Sequence, residues 1–190
     1  MKDKGKTCKV TVNGTECPIN EPQPFNSMWY SHKFKDSALQ YELAVCIQTG
    51  WIVWVNGPYP CGRYPDITIF QHKLKYKLNN GEKVEADLGY CGELGYVQTP
   101  HNAVSLLDKQ AAGRARARHE TINGWLKSFG CLSQKFWNSL STHVAFFSAV
   151  TVFVQVSIML GNKPWQVCYW IGKWHGLFRI LCLRRSVGNK

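Results

Sequence analysis

The chain has 190 residues, of which 45% are hydrophobic and 18% charged, so it can bury a core of ordinary size and does not have the composition of a disordered protein. Its formal net charge is +11 and is unevenly distributed: all twelve acids lie at or before Glu120, whereas residues 121–190 contain eight Lys or Arg and no acid. This asymmetry indicates a polyanion or an anionic membrane surface as partner.

The first third of the chain has the pattern of β-structure. Residues 1–9 contain four lysines and are expected to form a basic arm. Apolar alternation then predicts a strand from Val10 to Pro18 and a hairpin made of Phe34–Ile47 and Trp51–Val55, joined by a turn at Gly50.

The middle of the chain adds a helix and two short strands. Pro65 and apolar residues spaced by three and four predict a helix from Asp66 to Lys77. A strand is predicted at 83–87, with Asp87 at its carboxyl end before a glycine-rich loop, and a fifth short strand at 96–99. Strands that alternate with helices in this order predict a mixed α/β fold.

The last third is predicted to be helical. Alanines and an apolar stripe predict a long helix from Leu106 to Phe129. The segment His143–Leu160 has eighteen residues without a charge, which is the length of a short membrane span, but its polar residues favour a helix buried against a sheet. We expect a domain over residues 10–170 and a basic, Trp-containing tail over 171–190.

The chain has eight cysteines, without a Cys-x-x-Cys pair and without a secretory signal at its start. Free intracellular thiols are therefore expected rather than disulfides.

Two aspartates stand where strands and helices begin or end. Carboxylates held at such rigid positions bind a hard divalent cation when two of them are adjacent. Each also has a structural interpretation, Asp66 as a first-turn helix acid and Asp87 as a turn former. Taken singly, the two residues favour the structural interpretation.

Five segments in sequence order, together covering about residues 10–170, resemble the DDE-superfamily endonuclease domain of Harbinger-type transposases. They are the stretch from Val12 to Ile19 with Glu21-Pro22, the basic stretch Ser31–Lys35, the glycine-proline loop from Pro58 to Asp66, the run Ala86-Asp87-Leu88-Gly89-Tyr90, and the arginine-rich segment from Arg114 to Phe129.

The resemblance implies a ribonuclease H-like fold, in which a mixed sheet is flanked by helices. It also implies that Asn13, Asp66, Asp87 and Glu120 occupy the ligand positions for two Mg²⁺ or Mn²⁺ ions, with Asp66, Asp87 and Glu120 as the catalytic acids. Such a site cuts and rejoins DNA phosphodiester bonds.

Two of these positions depart from a simple expectation. The family has an aspartate where this chain has Asn13, which offers one carbonyl oxygen and no charge, so metal affinity and turnover should both be reduced. Glu120 lies opposite the apolar stripe of its helix and is expected to face solvent, where Arg116 is a candidate ion-pair partner, so its place in the site depends on the resemblance.

A basic cluster near the last of these acids is the candidate DNA-binding surface, although a solvated helix face has the same composition. It consists of Arg114, Arg116, Arg118 and Lys127. The resemblance implies a nuclear protein that acts on DNA, with sequence recognition supplied by a separate DNA-binding protein or segment. Two alternatives remain: a non-catalytic DNA-binding or protein-interaction domain on the same fold, and, less favoured, a protein anchored in a membrane by His143–Leu160.

Overall fold

The computed structural model describes residues 8–100 and 106–164, which form a six-stranded mixed sheet with helices on both faces. The strands are β1 (Cys8–Pro18), β2 (Tyr30–Ser31), β3 (Asp36–Cys46), β4 (Ile52–Pro60), β5 (Lys83–Glu85) and β6 (Val97–Gln98). The helices are α1 (Asp66–His72), α2 (Leu106–Lys127), α3 (Gly130–Ser133) and α4 (Leu140–Met159).

The predicted domain over 10–170 begins inside the described residues, whereas its last positions, 165–170, lie outside them. Of the predicted basic arm, residues 1–7 lie outside them, whereas Cys8 and Lys9 already belong to β1. The predicted tail at 171–190 lies wholly outside them.

The sheet is antiparallel on one side of β1 and parallel on the other. The order is β2-β3-β1-β5-β6, and β4 also pairs with β3. β1, β3 and β4 are antiparallel neighbours, whereas β5 and β6 run parallel to β1. This mixed topology confirms the predicted α/β, ribonuclease H-like fold class.

Alternate residues of the central strands divide the core into two layers, because successive side chains of a strand point to opposite faces. One layer joins Leu43 of β3 to Ile122 of α2 and Phe147 of α4. The other joins Val12 of β1 to Phe70 of α1. β1 therefore lies between α1 on one face of the sheet and α2 on the other.

The predicted first strand, hairpin and long helix are confirmed, but several details differ. The second strand of the hairpin, β4, continues past the predicted end at Val55 to Pro60, and the short strand β2 was not predicted. The predicted helix from Asp66 to Lys77 is α-helical only to His72, because Lys73 leaves the helical region at φ −139° and a 3-10 turn follows at Leu74–Lys77. The predicted strand at 83–87 ends at Glu85, since Asp87 caps a 3-10 turn, Leu88–Tyr90, instead of continuing the ladder. The isolated helix α3 was not predicted.

α4 covers all but the last residue of the segment His143–Leu160, for which the sequence favours a buried helix over a membrane span. Its length and composition would allow it to cross a membrane, and it is the one helix of the described residues for which this holds. One side of it is buried against the sheet through residues that include His143, Phe147, Val154 and Ile158. The other side is exposed, and only about a third of the helix is buried.

The cysteines of the described residues are all free, as expected: Cys8, Cys17, Cys46, Cys61, Cys91 and Cys131. Cys168 and Cys182 lie outside the described residues.

Candidate active site

A polar cleft of about 310 Å³ opens beside the middle of β1, where the strand faces α2. It is lined by residues from β1, the turn after β5, the β2–β3 connection and α2. They are Asn13, Gly14, Thr15, Lys33, Asp87, Glu120, Asn123, Gly124 and Lys127. Three of the four predicted ligand positions, Asn13, Asp87 and Glu120, therefore line one cleft.

Asn13 and Glu120 are in direct contact although they are 107 positions apart in the chain. Asn13 Nδ2 donates a hydrogen bond to Glu120 Oε1 at 2.5 Å. Glu120 is exposed, as the helical pattern predicted, but its exposed side of α2 faces the cleft. At this position Glu120 accepts a hydrogen bond from a neutral amide, whereas an aspartate there would repel it.

Asp87 is held by the turn that follows β5. Its side chain accepts a hydrogen bond at 2.9 Å from the backbone N–H of Gly89, which fixes the carboxylate at the beginning of the 3-10 turn. A Cβ atom at Gly89 would lie 3.1 Å from Asp87 Oδ1 and 3.0 Å from Asp66 Oδ2. Glycine at this position therefore leaves room for both carboxylates beside the turn.

Asp66 approaches β1 from the opposite face of the sheet. It is the first residue of α1, and its Oδ1 accepts a hydrogen bond from Gln40 Nε2 of β3. A Cβ atom at Gly14 would overlap this same oxygen, so the carboxylate packs directly on the strand. Among the described residues Asp66 is not part of the cleft lining, and it approaches the site through its neighbour Asp87.

The carboxylates around Asp66 repel one another. Burial raises the pKa of Asp66 to about 6, and the charges of Asp87 and Glu16 add to this effect. Burial also raises the pKa of Glu42, which lies on the same face of β3 as Gln40, to about 7. This region therefore holds negative charge that the protein compensates only in part.

We expect Asp66→Asn to raise the free energy of unfolding at pH 7 by about 1–2 kcal/mol. The pKa of Asp66 rises from 3.8 to about 6 on folding, so between these pH values the folded state binds more protons than the unfolded state. The free energy of unfolding of the wild-type chain therefore falls as pH rises through this window. In Asp66→Asn the neutral amide has no charge to bury, so this fall should be absent. Urea unfolding of both proteins between pH 4 and 8 measures this difference in unfolding free energy.

The matched control for this prediction is Asp36→Asn. The pKa of Asp36 is lowered by its contact with Lys135, so the same substitution there removes a favourable ion pair. Equal effects of the two variants would contradict the charge repulsion inferred at Asp66.

Two lysines form the positive side of the cleft. Lys127 of α2 is half-buried, and its Nζ lies 5.6 Å from the centre of the Phe34 ring. Burial lowers the pKa of Lys127, and the nearby charge of Lys33 lowers it further. Two ammonium groups beside two carboxylates are suited to a phosphodiester, whose oxygens bind the cations while the acids face the reacting bond.

The inner end of the site is a small recess of about 40 Å³ that reaches Arg116 and His119. Arg116 forms an ion pair with Glu85 Oε1 at 3.4 Å, whereas the sequence suggested Glu120 as its partner. His119 shares a hydrogen bond of 2.9 Å with Thr11 Oγ1, and burial lowers its pKa to about 3. His119 therefore stays neutral at physiological pH and has a packing role.

The predicted basic cluster does not form one surface. Arg118 is only 2% exposed, and its guanidinium donates to the backbone carbonyls of Cys46 and Ile47 at the β3–β4 turn, so its assignment to DNA binding was wrong. Arg114 is exposed and lies outside the cleft lining of the described residues. Arg116 and Lys127 do line the site.

The donor atoms of the site fit a hard divalent cation in kind, since they are carboxylate and amide oxygens. In number they fall short: the described residues contain no group of three His, Cys, Asp or Glu side chains placed to hold a metal ion. Of the residues that line the cleft, only Asp87 and Glu120 carry carboxylates, and Asn13 offers one amide oxygen. The residues therefore fit one weakly held ion better than two.

Sequence reasoning missed three polar residues of this region. Gln40 orients Asp66, Glu16 adds to its negative surroundings and accepts a hydrogen bond from Ser31, and Lys33 lines the cleft. Lys33 lies in the basic stretch before β3, so a charge-based argument could have identified it. Gln40 and Glu16 carry no local signal, because only the pairing of β1 with β3 places them side by side.

The family model described as "DDE superfamily endonuclease" matches residues 12–162, which is well over half of the chain. The match begins on β1 and ends just after α4, so it includes every residue of the cleft. No curated protein and no solved structure matches the chain.

Proposed function

Since this chain belongs to the DDE superfamily endonuclease family, we propose that it is a Harbinger-type, transposase-derived nuclease domain that acts on DNA in the nucleus and in which Asn13 impairs cleavage. The observation that carries this proposal is the cleft, where Asn13, Asp87 and Glu120 lie beside Lys33 and Lys127. Phosphodiester chemistry requires that the substrate is positioned and that developing charge is stabilised. The ammonium groups on one side of the cleft and the acids on the other are suited to these two tasks.

DDE nucleases generally use divalent metal ions, and the residues that would hold one here are Asp87 and Glu120, with the carbonyl oxygen of Asn13 and with Asp66 behind Asp87. A bound Mg²⁺ or Mn²⁺ would activate the attacking water or 3′-hydroxyl and stabilise the leaving oxygen. The protein itself fixes the geometry: the Gly89 turn holds Asp87, Gln40 holds Asp66, and α2 presents Glu120.

Asn13 changes the charge of the site as well as its ligand count. A second dication would bring the metal charge to four, against which Asp66, Asp87 and Glu120 supply three negative charges, so one ion is favoured over two. The amide of Asn13 also donates to Glu120 and so occupies an oxygen that a metal ion would otherwise contact. Both effects weaken metal binding, whereas neither removes the cleft or its lysines.

The proposed activity is tested by nicking of supercoiled plasmid in the presence of Mg²⁺ or Mn²⁺. The chain is expected to nick slowly or undetectably, and Asn13→Asp is expected to raise the nicking rate by at least about tenfold, because the added carboxylate strengthens charge stabilisation in the transition state. The same gain from Asn20→Asp, an identical change on the exposed loop after β1, would show that added charge rather than the cleft is responsible.

A second candidate is a non-catalytic DNA-binding domain on the same fold, and the hydrogen bond between Asn13 and Glu120 favours it. This contact satisfies Glu120 without a metal ion, so the cleft is stable as it stands. Nicking that stays absent in Asn13→Asp, together with intact DNA binding, would select this candidate over the first.

We expect the chain to bind duplex DNA without sequence preference, mainly through residues after Lys109, with an affinity that falls steeply as salt rises. The cause is the release of counterions from DNA when lysines and arginines contact phosphates. Fluorescence anisotropy with labelled duplexes, measured from low to physiological salt, gives the slope of log affinity against log salt. An affinity that does not change with salt would contradict this expectation.

Variants identify the face that binds. If the DNA backbone crosses the cleft, Lys33→Ala and Lys127→Ala should each lower the magnitude of the salt slope by about 1. Lys77→Ala, on an exposed 3-10 turn that adjoins α1, removes the same charge elsewhere and should have a smaller effect. If all three variants reduce the salt slope equally, the cleft is not the preferred DNA-binding face.

A further inference from the structure

The outward side of α4 is an apolar surface without a charged residue. Its central row, which we call the seam of α4, consists of five exposed residues: Ala145, Ala149, Val152, Val156 and Met159. From Leu140 to Leu160 the sequence contains no Asp, Glu, Lys or Arg. Single exposed apolar residues are common on soluble proteins, whereas a continuous row along a helix marks a contact surface.

The spacing of the seam fits a second helix as its partner. Its residues follow one another at intervals of four, three, four and three positions, which is the pattern along which two helices interlock their side chains. The opposite side of α4 is already packed in the core through Phe147, Val150 and Val154. α4 therefore has two apolar sides, of which one is covered.

Three large side chains border the seam. Phe146, Phe153 and Leu160 are 44%, 64% and 84% exposed, respectively. They are spaced by seven positions, so all three lie along the same side of the seam. This border widens the seam into a surface that a partner helix can cover.

The area of this surface is enough for a stable interface between two copies of the chain. The six larger side chains of the seam and its border are between 44% and 84% exposed. This exposure amounts to roughly 600 Å² of apolar surface, at about 150–250 Å² for a large side chain. Two copies would together bury about 1,200 Å², which is the lower limit of specific, stable protein–protein interfaces.

The seam is also complementary to itself in an antiparallel arrangement, because its residues are small at one end and large at the other. With Val152 at a twofold axis, Ala145 lies opposite the partner's Met159, and Ala149 lies opposite the partner's Val156. Large side chains opposite small ones fill the space between two helices. A parallel arrangement would place alanine opposite alanine and leave that space empty.

We propose that the chain forms a twofold dimer in which α4 packs antiparallel on α4 of a second copy, with Val152 at the axis. Both copies contribute the same surface, as in other twofold dimers. Although the chain carries a net charge of +11, α4 brings no like charges together at this interface. The dimer is independent of the chemistry proposed for the cleft.

A lipid surface would also cover apolar residues, and the composition of α4 favours a second copy over it. Helices that lie on a membrane surface carry Lys and Arg on their polar side, which attract anionic lipids. α4 has neither, and the polar residues beside its seam are Ser148 and Ser157. A lipid surface also requires no match of small residues with large ones, whereas the seam has this match.

Sedimentation equilibrium of the full chain without DNA tests the dimer. We expect the unmodified chain to dimerise and Val152→Glu to weaken dimerisation at least about hundredfold, because two carboxylates then meet at the axis. Leu94→Glu is the matched control, on the loop before β6 at the opposite edge of the sheet from β4, which α4 contacts. Leu94 is 67% exposed and Val152 is 61% exposed, so both variants should fold, as circular dichroism would verify. A monomeric unmodified chain, or equal effects of the two variants, would overturn the proposal.

Two further variants test the axis and the direction of the helices. An equimolar mixture of Val152→Glu and Val152→Lys should recover dimers that neither variant forms alone, and no recovery would overturn the proposal. Under mild oxidation Val152→Cys should cross-link two copies, as peptide mass spectrometry would identify. Ala145→Cys should not cross-link, because in an antiparallel pair the two copies of position 145 are about 21 Å apart along the helix. Equal cross-linking of the two cysteine variants would contradict the antiparallel arrangement.

Flotation with vesicles of phosphatidylcholine and phosphatidylserine distinguishes a second copy from lipid. At physiological salt the unmodified chain should remain unbound. Vesicle binding that Val152→Glu abolishes would assign the surface to lipid and overturn the proposal.

Discussion

Asn13→Asp should raise the affinity of the chain for Mg²⁺ and Mn²⁺ by at least about tenfold, because ligand charge is a main determinant of the affinity of an oxygen site for a hard cation. The substitution replaces a donor that holds Glu120 with a carboxylate on a rigid central strand, so three acids face one cleft instead of two. Isothermal titration of each variant with metal measures the effect.

The gain should depend on Asp87. In an Asp87→Ala background, Asn13→Asp is expected to change metal affinity by less than about threefold, because both acids serve the same ion and the double-mutant cycle then shows strong coupling. Asn20→Asp supplies the same charge outside the cleft and should have no effect in either background. Additive effects of the two cleft substitutions would mean that Asn13 and Asp87 do not share a site.

Arg118→Met should lower the free energy of unfolding by about 2–4 kcal/mol, since it removes charge-assisted hydrogen bonds to buried carbonyl groups. The guanidinium of Arg118 donates to Cys46 O at 2.8 Å and to Ile47 O, and so ties α2 to the end of β3. Methionine keeps most of the side-chain volume, so the loss measures the polar contacts more than a cavity. Chemical denaturation followed by tryptophan fluorescence gives the value.

Arg114→Met is the matched control for this prediction, four residues earlier on the same helix. Arg114 is exposed, so the change in unfolding free energy should stay within about 0.5 kcal/mol. A stability loss at Arg114 as large as that at Arg118 would contradict the structural role assigned to Arg118.

The elements that sequence predicts well are those whose signal is local. Alternation along Val10–Pro18 and the turn at Gly50 identify strands that the structure confirms, because each face of β1 and β3 packs against a different helix layer. The end of β5 was placed two residues too late, since the side chain of Asp87 bonds to the backbone of Gly89 and starts a turn. Apolar periodicity does not detect such a contact.

The site required information that a linear pattern does not hold. Helical periodicity places Glu120 on an exposed face, and only the packing of α2 across β1 brings it to Asn13. The same packing buries Arg118, although charge alone made it equivalent to Arg114 and Arg116. The carbonyl groups that accept hydrogen bonds from Arg118 lie far from it in the sequence and meet it only in the folded protein. Composition therefore could not distinguish Arg118 from Arg114 and Arg116.

Anomalous scattering from crystals of the Asn13→Asp variant grown with Mn²⁺ would locate the ion that we assign to the cleft. We expect a peak about 2.0–2.6 Å from carboxylate oxygens of both Asp87 and Glu120, and a much weaker peak, or none, at the same Mn²⁺ concentration in the chain that retains Asn13. A peak bound elsewhere, or equal occupancy in both proteins, would contradict the metal-binding role of Asp87 and Glu120 and the inhibitory role of Asn13.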